Sequence, residues 1–161
     1  MIFMSVRTIA AAAMAAVLTF GAAQAQVPTP TATDFSYSPV TPGAWTYRTV
    51  TGGAEAVFVD SSGTTRMVIG CGTTTRLVTL SRVSPVPAAN LSIWTSSGSR
   101  SLTARFDQPA QRVITQLGSM DTLLDAIAFS RGRFAVMMPG SPALVLPAGT
   151  EIAHIVEDCR A

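Results

Sequence analysis

From Ala44 onward the chain is written in short runs of β-branched and aromatic residues separated by turn formers. "WTYRTV" (45–50) and "AEAVFVD" (54–60) both alternate, the first followed by "TGG" and the second by "SSGT". Alternation sends successive side chains to opposite faces of a strand, so each run predicts one half-buried strand. "TRMVIGC" (65–71) places Met67, Ile69 and Cys71 on a single face, which carries the cysteine toward the core. "TRLVTLSRV" (75–83) stops at "SPVP", and "NLSIWTSS" (90–97) and "RSLTARF" (100–106) flank "SGS" as a hairpin. "QRVITQL" (111–117) follows a "DQP" turn. Strands at this spacing predict a mainly β fold, a β-sandwich or a curled antiparallel sheet.

The period then changes. "SMDTLLDAIAF" (119–129) sets Met120, Leu123, Leu124, Ile127 and Ala128 at helical spacing, with Ser119 as the expected N-cap and Asp121 in the first turn. "SRGR" ends this helix, Gly132 being able to take the left-handed conformation. "FAVMMPG" (134–140) and "ALVLPAG" (143–149) predict a second hairpin. In the closing "TEIAHIVEDC", Ile152, Ile155, Val156 and Cys159 fall on one helical stripe. Two short helices are therefore expected, the last at the C-terminus.

The first 43 residues have a different texture. Arg7, the apolar "IAAAAMAAVLTFGAA" and the small residues of "AQA" predict a cleaved signal peptide over 1–25. Residues 26–43, rich in Pro and Thr, read as an extended lead-in and chiefly a plain spacer, although Phe35 and Tyr37 offer points of attachment. Residues 44–161 then form a single β-rich domain. Once the leader is removed no run is long enough to span a membrane, which predicts a soluble periplasmic or secreted protein. Ten arginines then face nine acidic residues. Such near-neutrality argues against nucleic acid as a partner. The chain holds no lysine, which excludes Schiff-base chemistry and the phosphate-loop lysine.

Two cysteines in an exported chain predict a disulfide. Cys71 lies on the inward face of a strand and Cys159 on the inward stripe of a helix, and these two patterns are independent. A bridge between them would tie the last helix to the sheet. In the chain-entropy account, closing so long a loop stabilises the fold by about 4–5 kcal/mol. One histidine and two distant cysteines make a poor zinc set, so neither metal nor cofactor is expected.

The early Trp45-x-Tyr47 strand, the central cysteine, "DAIAFSRGRFAV", the "LVLP" strand and the terminal "VEDCR" resemble small exported bacterial proteins. The order of strands, helix, hairpin and cysteine-bearing C-terminal helix is similar to that of the invasion-associated locus B family. The resemblance implies a periplasmic β-rich module without established catalysis, and it transfers no catalytic residue.

Candidate chemistry is sparse. Glu151, His154 and Asp158 share the polar face of the last helix. They read either as an ordinary solvated stripe or as an acid–base or metal-ligand set for a small hydrolase. Ser130 lacks the strand-to-helix elbow of a serine nucleophile. Arg131 and Arg133 flank Gly132 at a turn and offer guanidinium groups to an acidic partner. Arg76, Arg82, Arg100 and Arg105 read as outward charges on a solvated sheet. Trp94 points away from Leu91 and Ile93, either exposed for binding or packed under the lead-in or a helix. The expected function is a non-enzymatic envelope module binding another envelope protein or an acidic surface, with no catalytic residue. A small hydrolase and an inhibitor or immunity-type protein remain the alternatives.

Overall fold

The alternating runs become strands whose pairing follows turn length. The computed structural model describes residues 33–161; the expected leader and the first part of the lead-in lie outside the described residues. The elements in order are β1 (Gly43–Val50), β2 (Gly53–Asp60), β3 (Thr65–Gly72), β4 (Leu77–Val83), β5 (Asn90–Thr95), β6 (Gly98–Thr103), β7 (Arg105–Asp107) and β8 (Arg112–Gly118). They continue with α1 (Thr122–Ala128), β9 (Arg133–Met138), β10 (Ser141–Pro147) and α2 (Thr150–Arg160). The fold is mainly β. Two antiparallel sheets form, one in the order β1-β2-β3-β4-β8-β7 and the other β10-β9-β5-β6. The expected 100–106 strand divides at Ala104, where the chain leaves the second sheet and β7 joins the first. The Ala104 N–H is bonded there to Ala89 O (2.8 Å).

The inward face of the six-stranded sheet is divided between two covers, and side-chain size follows the division. Trp45, Phe58, Met67, Arg82 and Val113 lie side by side in register. The second sheet meets this row. Trp45 stacks on Phe134 of β9 with ring centroids 6.3 Å apart and donates its indole N–H to Pro147 O (2.8 Å). The neighbouring rows carry Ala56, Ile69 and Leu80, then Ala54, Cys71 and Val78. On β2 these positions are alanines, and α2 packs across β1 to β4. Ile152, Ile155, Val156 and Cys159 are buried as the helical period requires. Each of the three aliphatic side chains contributes about 1.5–3 kcal/mol by leaving water.

Cys71 and Cys159 are joined by a disulfide with Cα atoms 5.5 Å apart, bridging 88 positions of sequence. A second set of bonds holds the same end of α2. Arg160 forms a two-pronged pair with Asp125 of α1 (2.8 and 3.0 Å) and donates from Nε to Ser119 O (2.9 Å). Arg76, at a left-handed φ of 53°, donates to Arg160 O (2.8 Å). The last helix is thus fastened covalently at one face and by guanidinium groups at its terminus.

Three expectations change, and one open choice is resolved. Arg82 is no outward charge: strand parity puts it with Val78 and Leu80 on the inward face, where it is 5% exposed. Its guanidinium donates to Val136 O (2.7 Å) and Pro142 O (2.5 Å) of the facing sheet. Burial pushes its pKa down to about 10, so it still carries its charge at neutral pH. Second, α1 is capped by Asp121 and not by Ser119, because the Asp121 carboxylate accepts from Leu123 N (2.9 Å) and pairs with Arg100 (2.7 Å). Met120 consequently falls outside the helix and is 75% exposed. Third, the described part of the lead-in is no plain spacer. Phe35 is buried, and Thr41 N–H bonds to Val145 O (2.8 Å). The open choice at Trp94 resolves to the packed alternative: it lies beneath that lead-in, its ring centroid 5.8 Å from that of Phe35.

Replacing both Cys71 and Cys159 by serine should lower the unfolding free energy by about 4 kcal/mol in urea titration, with m rising because the unfolded chain is no longer held compact by the bridge. A loss under about 1 kcal/mol would contradict the long-loop account. At position 82, Arg82→Ala should cost about 2–4 kcal/mol, because a cavity and two abandoned carbonyls remain. Arg82→Met, which refills the space, should cost less on the same titration.

Candidate functional site

The polar stripe of α2 lies along β1. Helical spacing sets Glu151, His154 and Asp158 on the side of α2 away from α1, and alternation turns Tyr47 of β1 toward them. The Tyr47 hydroxyl donates to Asp158 Oδ2 (2.8 Å), and its ring meets His154 edge-on at 6.0 Å. The Asp158 carboxylate, by accepting that proton, pushes the Tyr47 phenol above its ordinary pKa, with burial adding to the effect. His154 and Asp158 are exposed and Glu151 is half-buried. Tyr47 escaped the sequence reading of this site, although its parity with Trp45 pointed inward. The three α2 residues are brought together on one side, but they border none of the concavities described below.

The 129–133 segment is built differently. Ser130 is buried, and its hydroxyl accepts from Ser96 N (3.0 Å) while donating to Arg133 O. In return Ser96 Oγ accepts from Arg131 N (3.0 Å). This reciprocal pair of bonds locks the α1–β9 connection onto the β5–β6 turn. It also uses the Ser130 hydroxyl for positioning, so that group is no free nucleophile. Gly132, at φ 73°, supplies the left-handed residue that turns the chain into β9. Arg133 is drawn inward and donates to Ser38 O of the lead-in. Arg131 is exposed and has no ion-pair partner among the described residues. Beside it Phe129 is 74% exposed. Of the three residues expected to face a partner, only Arg131 is exposed and unpaired among the described residues; Trp94 is covered and Arg133 is engaged internally.

A concavity of about 440 Å³ opens on the outward face of the six-stranded sheet, lined by Glu55, Ser81, Asp107 and Arg112 among others. A much smaller one, about 50 Å³, lies between α1 and α2 beside Phe129. Among the described residues, no group of three His, Cys, Asp or Glu side chains is placed to hold a metal ion. No described helix is long and apolar enough to cross a membrane.

The fold and its surfaces define a class, a disulfide-closed β-sandwich with a helical cover over one end of one sheet. No family model matches the chain, and neither a curated protein nor a solved structure matches it.

Two carboxylates give the fold a pH dependence. The Arg100 guanidinium and the Leu123 N–H hold Asp121 below the usual carboxylate range; the Ser62 hydroxyl and the Thr64 N–H do the same for Asp60. Each therefore contributes stability that is complete above the unfolded pKa and is lost as pH falls through the lower folded value. The urea midpoint should fall steadily below about pH 4. Asp121→Asn should flatten that fall while lowering stability at neutral pH. An unchanged acid limb in Asp121→Asn would remove Asp121 from the account.

Proposed function

We propose that the protein is an exported, non-enzymatic binding module that contacts another envelope protein through the Phe129–Arg131 tip. One observation carries this reading: a large aromatic side chain stands in water on a backbone that hydrogen bonds hold fixed on both sides. A contiguous exposed apolar group on a rigid base loses little conformational entropy on docking, and aromatic and arginine side chains dominate interface energetics. Arg131 adds a guanidinium without an internal partner, suited to a carboxylate on the facing surface. Export is supported by the disulfide, since such bonds persist in oxidising compartments. The hydrolase alternative loses ground because His154 is exposed and Asp158 is engaged by Tyr47.

A photo-crosslinking residue placed at position 131 in cells should trap a discrete adduct that Phe129→Ala abolishes. The same residue at position 66 should trap none. Both positions are exposed, so the thermal midpoint should move by less than about 2 °C. No adduct at 131, or the same adduct from 66, would overturn the assignment.

A further inference from the structure

We infer that the free edge of β1, together with the polar stripe of α2 beside it, accepts an extended basic segment of a partner protein as an added strand. The inference begins with how the four sheet edges are finished. An unpaired edge is a template for another chain, and proteins blunt it with short strands, prolines, bulges, charges or a covering segment. β7 is three residues long. β10 carries Pro142, a register shift between Ser141 and Leu144, and the lead-in bonded at Val145. β6 is flanked by α1 through the Arg100–Asp121 pair. Among the described residues β1 has no proline, bulge or covering segment, and it is not short. It runs eight residues without proline or bulge, paired in unbroken register with β2. Among the described residues no backbone hydrogen bond reaches its other side. Its one charge, Arg48, is neutralised by Glu55 on the adjacent strand (2.5 Å).

The chemistry beside this edge selects the occupant. A strand added to β1 would direct every second side chain to the face that carries Trp45 and Tyr47, under the outer side of α2. There it meets Glu151, His154 and Asp158, two carboxylates with no arginine paired to either among the described residues. Arg160, the nearest basic residue on the same helix, is held by Asp125 on the opposite side. The site therefore offers a ladder of backbone groups for affinity and a local negative charge for selection, the two components of strand-addition recognition. Lysine or arginine at alternate positions of the incoming segment matches it. A second copy of β1 would instead bring two acidic stripes together.

The test uses the full exported protein and a ten-residue peptide alternating lysine with valine. The comparison peptides are a glutamate–valine version and a lysine–valine version with a central proline. Hydrogen exchange should show slowed amides within residues 43–50 only with the uninterrupted lysine peptide. Fluorescence anisotropy should show its affinity reduced by about threefold to tenfold in E151Q and in D158N, and reduced also by added salt. E151Q leaves the Tyr47–Asp158 bond in place, so it reads charge without disturbing that contact. Equal binding of the proline-interrupted peptide would reduce the site to nonspecific charge and overturn the inference. Protection elsewhere, or self-association through β1 in the absence of peptide, would overturn it too. Loss of the Phe129–Arg131 partner leaves this experiment unaffected, since the two surfaces share no residue.

Discussion

Covering the inward face of the six-stranded sheet is the constraint on which the rest of the molecule depends. The second sheet has four strands and meets the row that runs from Trp45 through Met67 to Arg82. The rows of Ala56 and Ala54 need another cover, and α2 supplies it with Ile152, Ile155 and Val156. A helix of eleven residues is too short to be stable alone in water, so its structure is borrowed from this contact. The Cys71–Cys159 bridge and the Arg160–Asp125 pair make the loan permanent at one end. Fixing α2 in turn fixes α1 against it.

That arrangement decides which residues face outward and are open to a partner. With its apolar stripe committed to the sheet and its Ala153–Glu157 side turned to α1, α2 leaves Glu151, His154 and Asp158 beside β1. With α1 held by the Asp121 cap, its far end presents Phe129, and the Ser96–Ser130 bonds hold the chain beyond it. The two surfaces are thus consequences of packing, each built from polar or aromatic groups that the core had no room for. Arg82 plays the opposite part. A buried charge bonded only to carbonyl oxygens adds little net stability, yet it joins β4 to β9 and to the bulge at Pro142, fixing how the sheets sit.

Legibility in the sequence followed the range of the interactions. Strand and helix periods are local, so the inward faces of Met67, Ile69 and Cys71 and of Ile152, Ile155, Val156 and Cys159 were readable, and their agreement predicted the disulfide. The choice between Ser119 and Asp121 as cap was harder, because both are good N-cap residues two positions apart; Asp121 takes the role by accepting from Leu123 N, and it also pairs with Arg100 of β6. Trp94 was undecidable from local pattern, because its cover, Phe35, lies 59 positions earlier in the chain. Arg82 and Tyr47 were different. Parity with Leu80 and with Trp45 already placed both inward, but a charge was taken as a surface residue and a tyrosine as half of a motif. In strands whose neighbours are known, parity should outrank residue type.

The account treats α2 and the six-stranded sheet as one cooperative unit, and native-state hydrogen exchange on the oxidised protein tests that directly. The amides of Ile155 to Cys159 should exchange only through global unfolding, with the same opening free energy and the same denaturant dependence as the amide of Ile69 in β3. Exchange of the α2 amides at a distinctly lower free energy, with little denaturant dependence, would show a helix that frays from the sheet. It would contradict the claim that packing and disulfide together make this helix the cover of the fold.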